Sequence, residues 1–96
     1  MSNAVLFCSY KLKKGASIPD FQLAVKKLTE HTSKQKGCIS YKLLVENETW
    51  ADMSTWETMD DLKSFMKSGG PTDLAEKFYS FIDFESCKTH FFEVVF

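Results

Sequence analysis

The chain has 96 residues, 44% of them hydrophobic, and its nine Phe, three Tyr and two Trp place 15% of the sequence in aromatic rings. That length allows one domain and one core, and a fold this small hides only about 60–65% of its unfolded surface, so a second copy or a ligand cavity is expected to take up part of the aromatic excess. All 12 basic residues are Lys against 13 acidic ones, a net charge of −1; without the Arg fork that grips phosphates and guanine edges, no nucleic-acid partner is expected.

Residues 4–12, AVLFCSYKL, alternate in β-favouring types and end at Lys13-Lys14-Gly15, which reads as a strand and a turn. The run Ala4–Cys8 is too short for a signal-peptide core, and Lys11, Lys13 and Lys14 follow it instead of preceding it. No stretch nears the roughly 20 apolar residues of a bilayer span, so no membrane partner is expected. Cys8, Cys38 and Cys87 form an odd set without CxxC spacing, consistent with reduced thiols in a cytoplasmic protein.

Ser17 caps a helix with Pro19 in its first turn and Asp20 three residues past the cap. Phe21, Ala24, Val25 and Leu28 recur at helical spacing, and the helix fades by about Gln35, before Gly37. Residues 38–46, CISYKLLVE, place Ile39, Tyr41, Leu43 and Val45 on one face, and residues 50–57, WADMSTWE, return as the other arm of a hairpin. Thr58 caps a second helix whose apolar stripe is Met59, Leu62, Phe65 and Met66. Ser68-Gly69-Gly70-Pro71 breaks it, and a third helix is expected over about residues 71–82 with Leu74, Phe78, Phe81 and Ile82 inward. A last strand follows over residues 84–96, and no linker or repeat divides residues 1–96.

The order βαββαβ, with its second helix in two pieces, predicts an α+β, ferredoxin-like fold: a four-stranded antiparallel sheet with the helices on one face. The outer face then lies open, yet the first strand is apolar on both sides (Leu6 and Cys8 against Val5 and Phe7), as is the last (Phe92 and Val94 against Phe91 and Val95). A sheet with two apolar faces and one helical layer needs a second cover, which predicts a homodimer through the sheet faces.

With Lys14-Gly15 after the first strand, Gly37-Cys38-Ile39-Ser40-Tyr41 entering the second, and Thr55-Trp56-Glu57-Thr58 leading into the second helix, nearly the whole chain resembles the antibiotic biosynthesis monooxygenase family. The resemblance implies a dimeric α+β barrel with a pocket between helix and sheet in each protomer. It also implies cofactor-independent oxygenation of a flat aromatic or quinone-like small molecule. In the family's haem-degrading branch an Asn, a Trp and a His act together; their positions fall here near Cys8, Phe65 and Ala75, so that set is not kept. Phe65 also stands where many members carry a His.

Cofactor-free oxygenation needs a base that makes an electron-rich anion and donors that hold it. The candidates for those roles are His90, on the last strand, and Tyr41, a phenolic donor on the second. His31 suits the end of the first helix, where the dipole favours an imidazolium. Cys8, Trp56, Phe65, Phe78 and Tyr79 are the expected substrate-binding residues, the aromatics forming a wall for a flat ligand. Neither the thiols nor the histidines have metal-site spacing, so no metal and no cofactor are expected. The alternative is a non-catalytic small-molecule-binding or interaction module of the same fold, its pocket packed shut by Trp56, Phe65 and Phe78.

Overall fold

Alternation along the strands decides which side chains meet the helices. The computed structural model describes residues 2–68 and 72–96. The chain runs β1 (Ala4–Leu12), α1 (Ile18–Thr32), β2 (Cys38–Glu46), β3 (Thr49–Trp56), α2 (Met59–Ser68), α3 (Thr72–Tyr79) and β4 (Ile82–Glu93). The strands form one antiparallel sheet in the order β2-β3-β1-β4, the ferredoxin-like arrangement. Ala4, Tyr10, Trp50 and Trp56, all even-numbered, are buried with helix residues. Period two therefore sends Val5, Phe7, Met53 and Thr55 to the opposite face.

Hydroxyl caps start the first two helices, as their spacing predicts. The Asp20 amide donates to Ser17 Oγ at 3.3 Å, and the Asp61 amide donates to Thr58 Oγ1 at 3.0 Å. Each bond satisfies one of the free amides of a first turn, a contribution of about 1 kcal/mol. Helix α1 ends at Thr32, and the amides of Lys34 and Gln35 turn back onto His31 and Thr32 carbonyls before Gly37 at φ 85°. A side chain at Gly37 would meet both that left-handed backbone and the carboxylate of Asp61. The expected break at Gly69-Gly70-Pro71 lies outside the described residues.

Two apolar clusters form between helices and sheet. Phe21, Ala24 and Val25 of α1 and Phe78 of α3 pack on Tyr10, Trp50, Phe81 and Ile82. Leu62 of α2 packs on Ala4 and Trp56, with Phe65 against the edge of that group. Full burial of Phe21 or Leu62 stabilises by about 2–3 kcal/mol each.

Three local expectations are corrected. A register shift between Cys38 and Ser40 removes Ile39 from the inward row of Tyr41 and Leu43, leaving it 52% exposed. The third helix stops at Tyr79, not near residue 82: the Ser80 amide makes the last i→i−4 bond, to Glu76, the Phe81 amide closes instead on Phe78 three residues back, and Ser80 Oγ donates to the Lys77 carbonyl. Ile82 then pairs with Leu12 and opens β4, two residues earlier than expected, while residues 94–96 lie beyond the strand. The register of β4 against β1 also skips: residues 84–87 stand opposite Tyr10 between the pairs Ser9–Lys88 and Lys11–Asp83. Ser86 Oγ takes the Lys11 amide at 2.8 Å across this bulge.

Candidate functional site

The inward row of β3 runs Trp50, Asp52, Ser54, Trp56, a carboxylate among aromatics. Cys8 of β1 and Leu43 of β2 flank Asp52 in register, which fixes the carboxylate near the middle of the helix-facing surface. Above it lies a cavity of about 380 Å³ between sheet and helices, within the range of small-molecule sites. Leu28 of α1, Phe65 of α2 and Phe78 and Tyr79 of α3 wall it. Cys8, Tyr41 and Asp52 stand on the sheet side, and the β4 bulge contributes Phe84 and Cys87. The surroundings are mostly apolar and aromatic, so the few polar atoms are individually conspicuous.

Tyr10 Oη donates to Asp52 Oδ1 at 3.0 Å. Tyr10 itself is held edge-on against Phe21 and Phe78, with centroids 6.1 and 5.8 Å away, so its hydroxyl has little freedom to turn from the carboxylate. Burial pushes the Asp52 carboxyl up to about 6, while Tyr10 and Tyr41 pull in the other direction by favouring the ionised form. Burial, and then the charge of Asp52, raises both phenols well above the ordinary tyrosine value. The result is a carboxylate more basic than an ordinary aspartate, flanked by two phenols that keep their protons.

A second polar group borders the first. The sulfurs of Cys8 and Cys87 are 3.3 Å apart, and Thr89 Oγ1 donates to Cys8 Sγ at 3.4 Å. Burial pushes the Cys8 thiol up to about 11.

Of the residues singled out from sequence, Cys8, Tyr41, Phe65, Phe78 and Tyr79 meet around this one cavity. Trp56 is not on its surface: it is fully buried, its indole N–H donates to Ser54 Oγ at 2.9 Å, and its ring backs Phe65 at 5.0 Å. Its effect on the cavity therefore passes through Phe65 and Ser54, both of which line it. His90 is placed elsewhere. It pairs with Phe7, stacks on Phe92 at 5.4 Å, and belongs to the sheet face away from the helices. The parity of β4 accounts for this, since Thr89, its neighbour, takes the inward position opposite Cys8.

Sequence reasoning passed over Asp52, although its signal is present in WADMSTWE: the only inward carboxylate in a strand row bounded by Trp50 and Trp56. Among the described residues, no cluster of three His, Cys, Asp or Glu is placed to hold a metal ion, and no helix is long and apolar enough to cross a membrane.

The family model described as antibiotic biosynthesis monooxygenase matches residues 5–77. The chain belongs to that family. In this antibiotic biosynthesis monooxygenase family member, Cys8, Phe65 and Ala75, the positions set against the haem-degrading Asn, Trp and His, all line the same cavity. The fold is similar to that of SnoaB, a cofactor-independent oxygenase from Streptomyces nogalater, with a TM-score of 0.83 at 11% identity, over 98% of this chain and 94% of that one. A conserved protein from Methanosarcina mazei Go1 gives a TM-score of 0.80 at 19% identity, over 96% of this chain and 92% of that one. A dimeric protein of unknown function with a ferredoxin-like fold, from Bacteroides fragilis, gives 0.67 at 14% identity, over 96% of each chain. No curated protein matches the sequence.

Proposed function

We propose that this chain is a cofactor-independent oxygenase for a flat phenolic or quinol-type molecule, with Asp52 as the base that ionises it. The observation that carries the reading is the position of Asp52: a carboxylate with a raised pKa, at the sheet side of an aromatic cavity, fixed by Tyr10. Transfer of the substrate's hydroxyl proton to Asp52 produces an electron-rich anion, the form that reacts with oxygen. Tyr41 is proposed as the donor that holds the developing oxyanion, a role favoured by a phenol that stays protonated. Phe65, Phe78 and Tyr79 supply faces and edges against which a planar ring packs. The substrate itself supplies all four electrons: one oxygen atom replaces the ring hydrogen and becomes a quinone carbonyl, and the other leaves as water with the two hydrogens lost from the ring carbon and the hydroxyl, so the protein's task is to ionise and orient.

The non-catalytic alternative rests on a pocket shut by Trp56, Phe65 and Phe78. A cavity of about 380 Å³ lined by Phe65 and Phe78 speaks against a shut pocket.

We also place the protomer in a homodimer, joined through the sheet faces. The support is the composition of the face away from the helices: Val5, Phe7 and the His90–Phe92 stack, with Phe92 50% exposed in the single chain. His90 then serves the interface and not the chemistry.

Oxygen uptake by purified protein with a panel of quinols and hydroxylated polycyclic aromatics tests the function. Turnover above the uncatalysed rate with at least one member is the expected result. No rate above the control, together with no ligand-induced rise in melting temperature, would sink the proposal.

A further inference from the structure

We infer that Cys8 and Cys87 are a redox-active dithiol in the cavity wall, which a peroxide converts reversibly to an intramolecular disulfide. The inference rests on the thiol geometry alone and stands whether or not the cavity oxygenates anything. The sulfurs come from residues 79 apart in sequence, yet they approach to 3.3 Å and both are free. A disulfide needs about 2.0 Å, so side-chain rotation has only a short gap to close. The backbone supports that approach. Cys8 is the register partner of Thr89, and Cys87 lies two residues before Thr89 at the end of the β4 bulge, on the same face. The bulge thus delivers a second thiol diagonally across from the first. Both line the cavity, through which a small oxidant reaches them. Cys38 pairs instead with Trp56 in the β2–β3 ladder, and its thiol is turned toward the Ser40 carbonyl.

With hydrogen peroxide the balance is simple. The Cys87 thiolate attacks one peroxide oxygen, the O–O bond breaks, and the departing hydroxide takes a proton to become water, leaving a sulfenic acid on Cys87. The Cys8 sulfur then attacks the Cys87 sulfur, the S–O bond breaks, and a second water leaves. Two thiols lose two electrons and two protons, and one peroxide becomes two waters. Burial raises the Cys8 thiol and so holds it protonated, which disfavours it as the first nucleophile. The product ties β1 to β4 beside Asp52 and withdraws both thiols from the cavity.

The test is peptide mapping and intact mass of the full chain after stoichiometric hydrogen peroxide, without reductant. The expected result is a chain lighter by two hydrogens, a Cys8–Cys87 cross-linked peptide, Cys38 still open to alkylation, and recovery of all three thiols with dithiothreitol. A Cys38→Ser variant should behave identically, and Cys87→Ser should lose the cross-link. Oxygen adducts without a cross-link, three thiols still alkylated, or a disulfide involving Cys38 or joining two chains would overturn the inference.

Discussion

The Tyr10 hydroxyl donates a hydrogen bond to the Asp52 carboxylate across neighbouring strands, at 3.0 Å. The two are not register partners: Tyr10 pairs with Trp50 and Asp52 with Cys8. The bond is therefore a diagonal on the inward face, which β1 and β3 present together. It ties the aromatic core to the one carboxylate in the cavity, so changes at Tyr10 should be read at Asp52.

Tyr10→Phe tests that tie. The ring and its edge contacts with Phe21 and Phe78 stay, while the donor that favours the ionised carboxylate goes. The acid limb of the turnover–pH profile is expected to move upward by about 0.5–1 pH unit, with a stability loss near 1 kcal/mol. An unchanged limb, measured over pH 5–9 with an active quinol, would separate Tyr10 from the chemistry.

Asp52 also leaves a mark on stability. In the unfolded chain it ionises near the ordinary aspartate value of 3.8, but the folded site keeps the proton up to about 6. Between those values the native state binds more protons than the unfolded one, so the site's contribution falls as pH rises through the window and is flat above it. Asp52→Asn keeps an acceptor for Tyr10 without a charge. It should therefore be more stable than the parent at pH 8, by about 1–3 kcal/mol, and the gap should close toward pH 4. Thermal melts at both pH values check the sign.

Trp56→Ala probes the support behind the wall. The indole is fully buried, bonds Ser54 and backs Phe65. A loss of about 3–5 kcal/mol is expected from the cavity left behind. Trp56→Phe should cost less and leave ligand binding nearer the parent, because a ring remains behind Phe65. Denaturant melts combined with ligand titration distinguish the two.

Much of this arrangement is legible in the sequence, and the reasons differ from residue to residue. Ser17 and Thr58 identify helix starts because a hydroxyl three residues before an acidic residue is a local signal. Tyr41, Phe65 and Phe78 follow from periodicity, which fixes the inward face. Ile39 does not, because a bulge shifts register without a distinctive residue type. His90 and Thr89 are adjacent, so a single step of strand parity decides which of them faces the cavity. The parity depends on the bulge at residues 84–87, a tertiary feature. Asp52 sits in plain alternation, but its neighbours Tyr10 and Tyr41 come from two other strands.

Phe92→Asp addresses the assembly. Phe92 is opposite Val5 on the face away from the helices and half exposed in the single chain, so a charge there should leave the protomer folded. Sedimentation is expected to show the parent as a dimer and the variant as the 11.0 kDa monomer. A parent that sediments as a monomer at micromolar concentration would contradict the sheet-to-sheet pairing.

The role of Asp52 is most directly read from the pH dependence of quinol-driven oxygen uptake by the parent and by Asp52→Asn. The parent should gain activity through a limb centred near pH 6, and the variant, folded and at least as stable, should lose about 10²-fold or more and lack that limb. A variant that keeps the parent's rate and the parent's pH profile would show that the carboxylate is not the base.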